Sequence, residues 1–213
     1  LWVIIVLIVA DQLGIPVTSL VALLSVVSLA VSLAVQSVLS NIAGGLVILV
    51  TKPFQLGDLV ETADGLGTVK EISLTFTKLE TPDGLWLMTP NSVLSSGKIT
   101  NYTALGRRRA EIRVGASYDA AVSDVRAACL DAAARVPGVL PDPAPIVYVD
   151  SYGESSISYI VRVWCRSEDY TDVYYGLTEG LKAAFDEHGV EMPYNHLNIH
   201  ILDQTEQKEK QTV

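Results

Sequence analysis

Three histidines crowd the C-terminal part of the chain, at 188, 196 and 200, close behind Glu179, Asp186 and Glu187. Imidazoles and carboxylates in such company could hold a metal ion. His196 and His200 would share one face of an extended segment, yet no third ligand stands at a suitable spacing. The three carboxylates read better as the solvated face of a helix. Cys129 and Cys165 form no metal or redox motif. They leave one disulfide open, although two unclustered thiols fit a reducing compartment better. No glycine-rich phosphate loop, triad or nucleophile elbow occurs. The expectation is a protein without catalytic residues, cofactor or metal. Arg107, Arg108 and Arg109 are the one basic cluster. They read either as a solvated domain junction or as a contact with lipid headgroups or a portal lining.

The residue pattern that remains is that of a membrane. Between Asp11 and Lys52 there is no charge at all. Those two cancel, so the net charge of −9 on the 213 residues belongs to 53–213. An acidic surface argues against nucleic acid as a partner, because phosphate binding needs a basic one. Leu1–Leu13 is too short to span a bilayer and opens in mid-stream, so 1–13 is expected to be the end of a transmembrane helix that begins upstream. Gly14, Ile15 and Pro16 make a turn. Thr18 or Ser19 can cap the next helix, expected over 17–51. At 1.5 Å per residue it would be roughly 50 Å long, against a hydrocarbon core of ~30 Å. It should therefore bend, and its second half should leave the lipid.

On a helical wheel Ala22, Val26, Leu29 and Leu33 form a narrow apolar stripe. Ser25, Ser28 and Ser32 flank it on one side, Ala30 and Ala34 on the other. Small residues let membrane helices approach closely. Small flanks on both sides fit a ring of helices with the stripe facing its centre, or else a buried bundle helix whose serines bond back to their own backbone. The stripe ends at Gln36-Ser37, a kink site, since serine can bond back to its helix and bend it. Beyond it Val38, Leu39, Ile42, Leu46 and Leu49 make an apolar face, and Ser37, Ser40, Asn41 and Gly44 a polar one. Such a segment suits the membrane–water boundary. Gly45 weakens the helix and permits close packing, and Pro53 ends it.

The rest reads as two soluble domains. Over 53–103, Leu59–Thr62, an alternating run from Thr68 to Thr77, and the Pro82-Asp83-Gly84 turn between Phe76–Leu79 and Leu85–Met88 suggest a small β-barrel or sandwich. From 107 to 202 the order is strand, helix, strand, strand, helix, strand, which reads as a ferredoxin-like βαββαβ domain. Its strands are expected at Ala110–Val114, Ile146–Val149, Ile157–Trp164 and Leu197–Leu202. Its helices are expected to start at Asp119 and at Thr171 or Asp172, the second ending at Gly189. The tail 203–213 is polar.

Longer stretches resemble a known family. They are SLAVSLAVQSVLSNIAGGLVILVTKPFQLGDLV and GTVKEISLTFTKLETPDGLWLMTPNSVLSSGKITNYT, then VGASYD at 114–119, VRVWCRSEDYTDVYYGL at 161–177 and GVEMPYNHLNI at 189–199. Together they are similar to the small-conductance mechanosensitive (MscS-like) channels. The signature is Q-x4-N, then K-P-F-x2-G-D, then T-P-N, in order and at family spacing. The resemblance implies a homoheptameric channel of the cell membrane, multi-pass, with a cytoplasmic C-terminal region. It would open under tension and release ions and small osmolytes on hypo-osmotic shock. Its partners would be membrane lipid, further copies of itself and the permeating ions. The resemblance makes 53–103 an Sm-like barrel and the last transmembrane helix the pore lining. Leu29 and Leu33 match its two closing leucine rings, and Gln36-Ser37 match its kink. Asn41 matches a position coupling the half-helix to the β domain, where Asn91 and Ser92 are its neighbours. Serines at 25, 28, 32, 37 and 92 stand where the family carries glycine, so helix packing is expected to differ. A secondary transporter would need intramembrane charge or a broken-helix site, and an RNA-binding module would need its aromatic motif; neither is visible.

Overall fold

The computed structural model describes residues 2–14, 16–197 and 199. The chain divides into two compact units, Leu1–Ala104 and Leu105–Val213.

In the first unit α1 (Trp2–Gln12) and α2 (Val17–Thr51) precede a β domain. The uncharged run is one unbroken α-helix of 35 residues. Its cap position is Pro16, with no side-chain cap bond, so neither Thr18 nor Ser19 caps it. It stops at Lys52, whose backbone turns left-handed and returns its N–H to Ile48 O at 2.9 Å, just before Pro53. The β domain contains β1 (Leu59–Thr62), β2 (Gly65–Ile72), β3 (Phe76–Glu80), β4 (Trp86–Pro90), α3 (Asn91–Ser96) and β5 (Thr100–Asn101). Its antiparallel sheet has the order β4-β3-β2-β1-β5. The hairpin expected at Pro82-Asp83-Gly84 joins β3 to β4, with Glu80 opposite Trp86 and Gly84 at φ 81°. The run expected from Thr68 to Thr77 is instead broken by a turn, closed by Ser73 N–H on Phe76 O at 2.8 Å. Val60, Val69, Leu79 and Leu94 form the core, and Ile48 and Phe54 join it from α2 and the segment after it.

In the second unit β6 (Arg107–Ala116), β7 (Ile146–Tyr152) and β8 (Ile157–Arg166) pair antiparallel in the order β6-β8-β7. The helices α4 (Val122–Arg135) and α5 (Tyr170–His188) bury Val125, Cys129, Val173, Leu177, Leu181 and Phe185 in one core with the strands' alternate residues. Several boundaries differ from expectation, and the strands run on further, β6 to Ala116, β7 to Tyr152 and β8 to Arg166. β6 starts at Arg107 rather than Ala110. The cap position of α4 is Ala121, not Asp119, whose N–H bonds Ser117 Oγ instead. α5 starts at Tyr170, one residue before Thr171, with Asp169 at its cap position. Gly189 ends α5 at φ 65°, as its sequence position suggested. The arginine cluster is thus strand, not linker. Arg107 lies over Trp164 at 5.2 Å, Arg108 over Tyr170 at 3.6 Å, and Arg109 pairs with Glu111 at 2.7 Å. Both cysteines are free and buried. The strand expected over 197–202 falls largely outside the described residues, as do His200 and the tail 203–213. His188 contacts Asp131 at 3.2 Å, and Glu187 pairs with Arg135 at 2.7 Å.

Candidate functional site

The site is α2 and the surface on which its second half sits, all within the first unit. Every residue from 21 to 40 is exposed. Leu29 and Leu33 are each 61% exposed, on a helix long and apolar enough to cross a membrane. An apolar surface of this extent needs lipid or other protein to cover it. Ala22, Ser25, Ser28, Ala30, Ser32 and Ala34 lie exposed beside the two leucines. Ser25 Oγ donates to Val21 O at 2.8 Å, the back-bonded form that the sequence left open. The helix continues unbroken through Gln36 and Ser37.

From Asn41 the environment changes. Asn41, Gly44, Gly45 and Ile48 recur at helical spacing and turn toward the β domain. Gly44, Gly45 and Ile48 are buried. The glycines are required by close approach. A Cβ on Gly44 would stand 2.6 Å from Asn91 O and 2.8 Å from Ser92 N. On Gly45 it would stand 2.5 Å from Leu74 O and 2.6 Å from Asn91 Nδ2. Leu39, Leu46 and Val50 on the opposite face, and Val38 and Leu49 on its flanks, stay exposed.

Two asparagines bind the helix to its seat. The cap position of α3 is Pro90, which offers no side-chain oxygen, so the first amides of that helix need an outside acceptor. Asn41 supplies one across 51 residues: its Oδ1 accepts from Ser92 N–H at 3.1 Å. The same side chain donates from Nδ2 to Ser37 O at 3.0 Å. One amide therefore joins the carbonyl of Ser37 to the start of α3. Asn91 is fully buried. Its Oδ1 accepts from Thr77 Oγ1 at 2.8 Å, its Nδ2 donates to Ser73 O at 2.8 Å, and its N–H donates to Thr75 O at 3.1 Å. It thereby fixes the Ser73–Thr75 turn against which Gly45 packs. Below the helix end, burial raises the Asp58 carboxyl. Hydrogen bonds from Asn101 (2.9 Å), Gln55 N–H (2.8 Å) and Thr103 (2.7 Å) outweigh that and hold it below its ordinary range.

The structure joins Asn41 to Ser92 by a hydrogen bond, next to the buried Asn91. Sequence reasoning missed α3, and it missed Ile48 as a β-domain core residue. The available signal was the 41-44-45-48 stripe of polar, small, small and large residues at helical spacing.

Three family models match in succession. Residues 1–36 match "Mechanosensitive ion channel, transmembrane helices 2/3". Residues 37–104 match "Mechanosensitive ion channel, beta-domain". Residues 110–192 match "Mechanosensitive ion channel MscS, C-terminal". An MscS family protein of Synechocystis is 33% identical over 93% of this chain and 67% of its own length. The chain belongs to the MscS family of mechanosensitive channels. The small-conductance mechanosensitive channel of Edwardsiella ictaluri is 33% identical over 81% of this chain and 60% of its own length. The chain spans about two-thirds of the length of such MscS relatives. The crystal structure of Helicobacter pylori MscS in its closed state superposes with a TM-score of 0.87 at 30% identity, over 95% of this chain and 80% of that one. Arabidopsis MSL1 shares the fold, with a TM-score of 0.75 at 20% identity. The MscS fold accounts for the order seen here: apolar helices, a β-rich domain and an α+β C-terminal region.

Proposed function

We propose that this chain forms the pore and cytoplasmic part of a homoheptameric channel of the cell membrane. Membrane tension opens it, and it releases ions and small osmolytes on hypo-osmotic shock. The observation that carries this reading is the two-part character of α2: uncovered and apolar through residue 40, then seated on the β domain through Asn41, Gly44, Gly45 and Ile48. In the assembled ring Leu29 and Leu33 make the constriction. Two leucine rings exclude ions by dewetting, without a physical plug. Ala22, Ser25, Ser28, Ala30, Ser32 and Ala34 pack neighbouring helices together.

Gln36 and Ser37 form the hinge at which the spanning half meets the seated half. Asn41 couples the two parts, because it holds the Ser37 carbonyl and the Ser92 amide at once. A change of helix direction at 37 therefore strains a hydrogen bond to the β domain, and Asn91 passes the load to the β2–β3 turn. The unbroken helix here leaves the hinge as a site of bending rather than of chain break. The β and α+β domains lie on the cytoplasmic side, in keeping with the positive Lys52 and arginines that follow the apolar run. Membrane lipid, other copies of the chain and the permeating ions are its partners; nucleic acid is not.

The test is survival of osmotic downshock by cells lacking their own mechanosensitive channels and carrying the full-length protein. Protection by the wild type, and slowed growth with Leu33→Ser from a leaking pore, are expected. No protection from membrane-inserted protein would contradict the proposal.

A further inference from the structure

The chain leaves α2 at Lys52 and leaves the β domain at Ala104, and one side chain ties the two exits together. β5 gives the ladder only two residue pairs, Val60 opposite Asn101 and Glu61 opposite Thr100. Beyond that ladder, residues 101–104 are held by side chains as well, and these bonds converge on Asp58. Its Oδ2 accepts from Gln55 N–H at 2.8 Å, and its own N–H donates to Gln55 O at 3.1 Å, which closes the turn after Phe54 with Gly57 at φ 91°. The same Oδ2 accepts from Asn101 Nδ2 at 2.9 Å, and Oδ1 accepts from Thr103 Oγ1 at 2.7 Å. Asn101 Nδ2 also reaches Pro53 O at 3.4 Å. Asn101 Oδ1 accepts from Thr103 N–H at 3.0 Å and Ala104 N–H at 2.9 Å, so it folds the outgoing segment around itself. Thr103 Oγ1 in turn accepts from Leu59 N–H at 3.1 Å. An asparagine at 58 would close the turn alone. A carboxylate offers two oxygens, so it can hold the turn and the outgoing segment at once, by charge-assisted bonds. Ala104 is the last residue of the first unit, and Leu105 opens the second.

We infer that Asp58 is a positioning residue of the gate: its carboxylate clasps the exit of α2 to residues 101–104, so the helix end cannot turn without drawing that segment with it. Displacement of the segment that leads into the second unit thereby acts on the pore helix at its C-terminal end. This attachment is separate from Asn41, which holds the beginning of the seated half through α3. With the clasp loosened, the seated half gives way at its end under less tension. The inference rests on the reading of α2 as the pore helix.

The experiment records the full-length protein in a channel-free bilayer under a pressure ramp and measures amide exchange on the same protein. Asp58→Asn keeps the shape but leaves one acceptor oxygen where two stood. Thr103→Val removes one donor from the clasp. Thr81→Val is the control: its hydroxyl bonds Leu85 O at 3.3 Å in the β3–β4 hairpin, away from α2. Asp58→Asn and Thr103→Val should each lower the tension for half-activation. The double variant should lower it no further than Asp58→Asn alone, because both changes act on one carboxylate. Thr81→Val should gate as wild type. Exchange at Gln55 N–H should quicken about fivefold in Thr103→Val, the worth of one ordinary hydrogen bond, and stay unchanged in Thr81→Val. Wild-type thresholds in both clasp variants, additive shifts in the double variant, or an equal shift in Thr81→Val overturn the inference and leave the channel reading standing. Unchanged exchange at Gln55 in Thr103→Val overturns it whatever the currents. Silence of the wild type up to lytic tension sinks the channel reading and the inference with it.

Discussion

Gly44→Ala is the smallest perturbation of the seat. The added methyl would lie 2.6 Å from Asn91 O and 2.8 Å from Ser92 N, both backbone atoms that cannot swing aside. Ordinary contact begins near 3.5 Å, so α2 must back away by ~1 Å. Overpacking of this kind costs roughly 1–3 kcal/mol. Because both contacts fall under 3.0 Å and both are with backbone, the upper part of that range applies, about 2–3 kcal/mol. The alanine returns about 1 kcal/mol of helix propensity. The net expectation is a seat weakened by about 1–2 kcal/mol, equivalent to a factor of roughly 5–30 in its opening. The bond that reports it is Ser92 N–H to Asn41 Oδ1, 3.1 Å long. Amide exchange at Ser92 in the full-length protein should therefore quicken by that factor. Ser40→Ala, at an exposed position of the same helix, gains propensity without a clash and should leave Ser92 unchanged. Unchanged or slower exchange in Gly44→Ala would refute the close approach and with it the idea that α2 is clamped to the β domain there.

Asn41→Ala removes the acceptor but adds no bulk, and should quicken Ser92 exchange about fivefold, the worth of one ordinary hydrogen bond; no change would exclude Asn41 as the coupling residue. The Tyr159 hydroxyl is buried with no hydrogen-bond partner among the described residues. Tyr159→Phe should then raise the denaturation midpoint of the C-terminal domain, by about 1 kcal/mol, and an equal loss would show the hydroxyl to be satisfied. Burial pushes the Cys129 thiol up to about 12, so it should resist alkylation at pH 8 until the protein unfolds; rapid labelling of folded protein would contradict its place in the core. The hydrogen bond with His188, and then Arg135, holds the Asp131 carboxyl low, and Arg135 does the same for Glu187. Carboxyls lowered in the fold stabilise it above their unfolded pKa, near 4, and lose that effect as pH falls through the folded values. The α4–α5 contact should hold from pH 7 to about 5 and loosen below about 4. Arg135→Ala should flatten that acid limb, and an unaltered limb would remove these carboxyls from it.

Much of this architecture was legible because membrane and turn signals are local. The absence of charge between Asp11 and Lys52 marked α2, Pro82-Asp83-Gly84 marked the β3–β4 hairpin, and Gly189 marked the end of α5. Helix starts were less legible. Pro16 and Ala121 hold cap positions without any capping oxygen, and tertiary packing sets the boundary there. The break between β2 and β3 was hidden because Leu74 and Thr75, between Ser73 and Phe76, are not turn formers by type. Ser73 and Thr75 are held by Asn91 from 16–18 residues away. Ile48 was not legible as a core residue, since a sequence window cannot tell a side chain facing lipid from one facing a β-sheet core. Asn41, by contrast, could be placed from its family position, and the structure adds what it touches.

The most direct measurement is a pressure-ramp patch-clamp recording of the full-length protein in a channel-free bilayer, wild type beside Leu33→Ser. Stepwise currents under suction, with a lower threshold in the variant, are expected of a tension-gated pore closed at Leu33. Silence up to lytic tension from verified, assembled protein, or identical thresholds in the two, would contradict it.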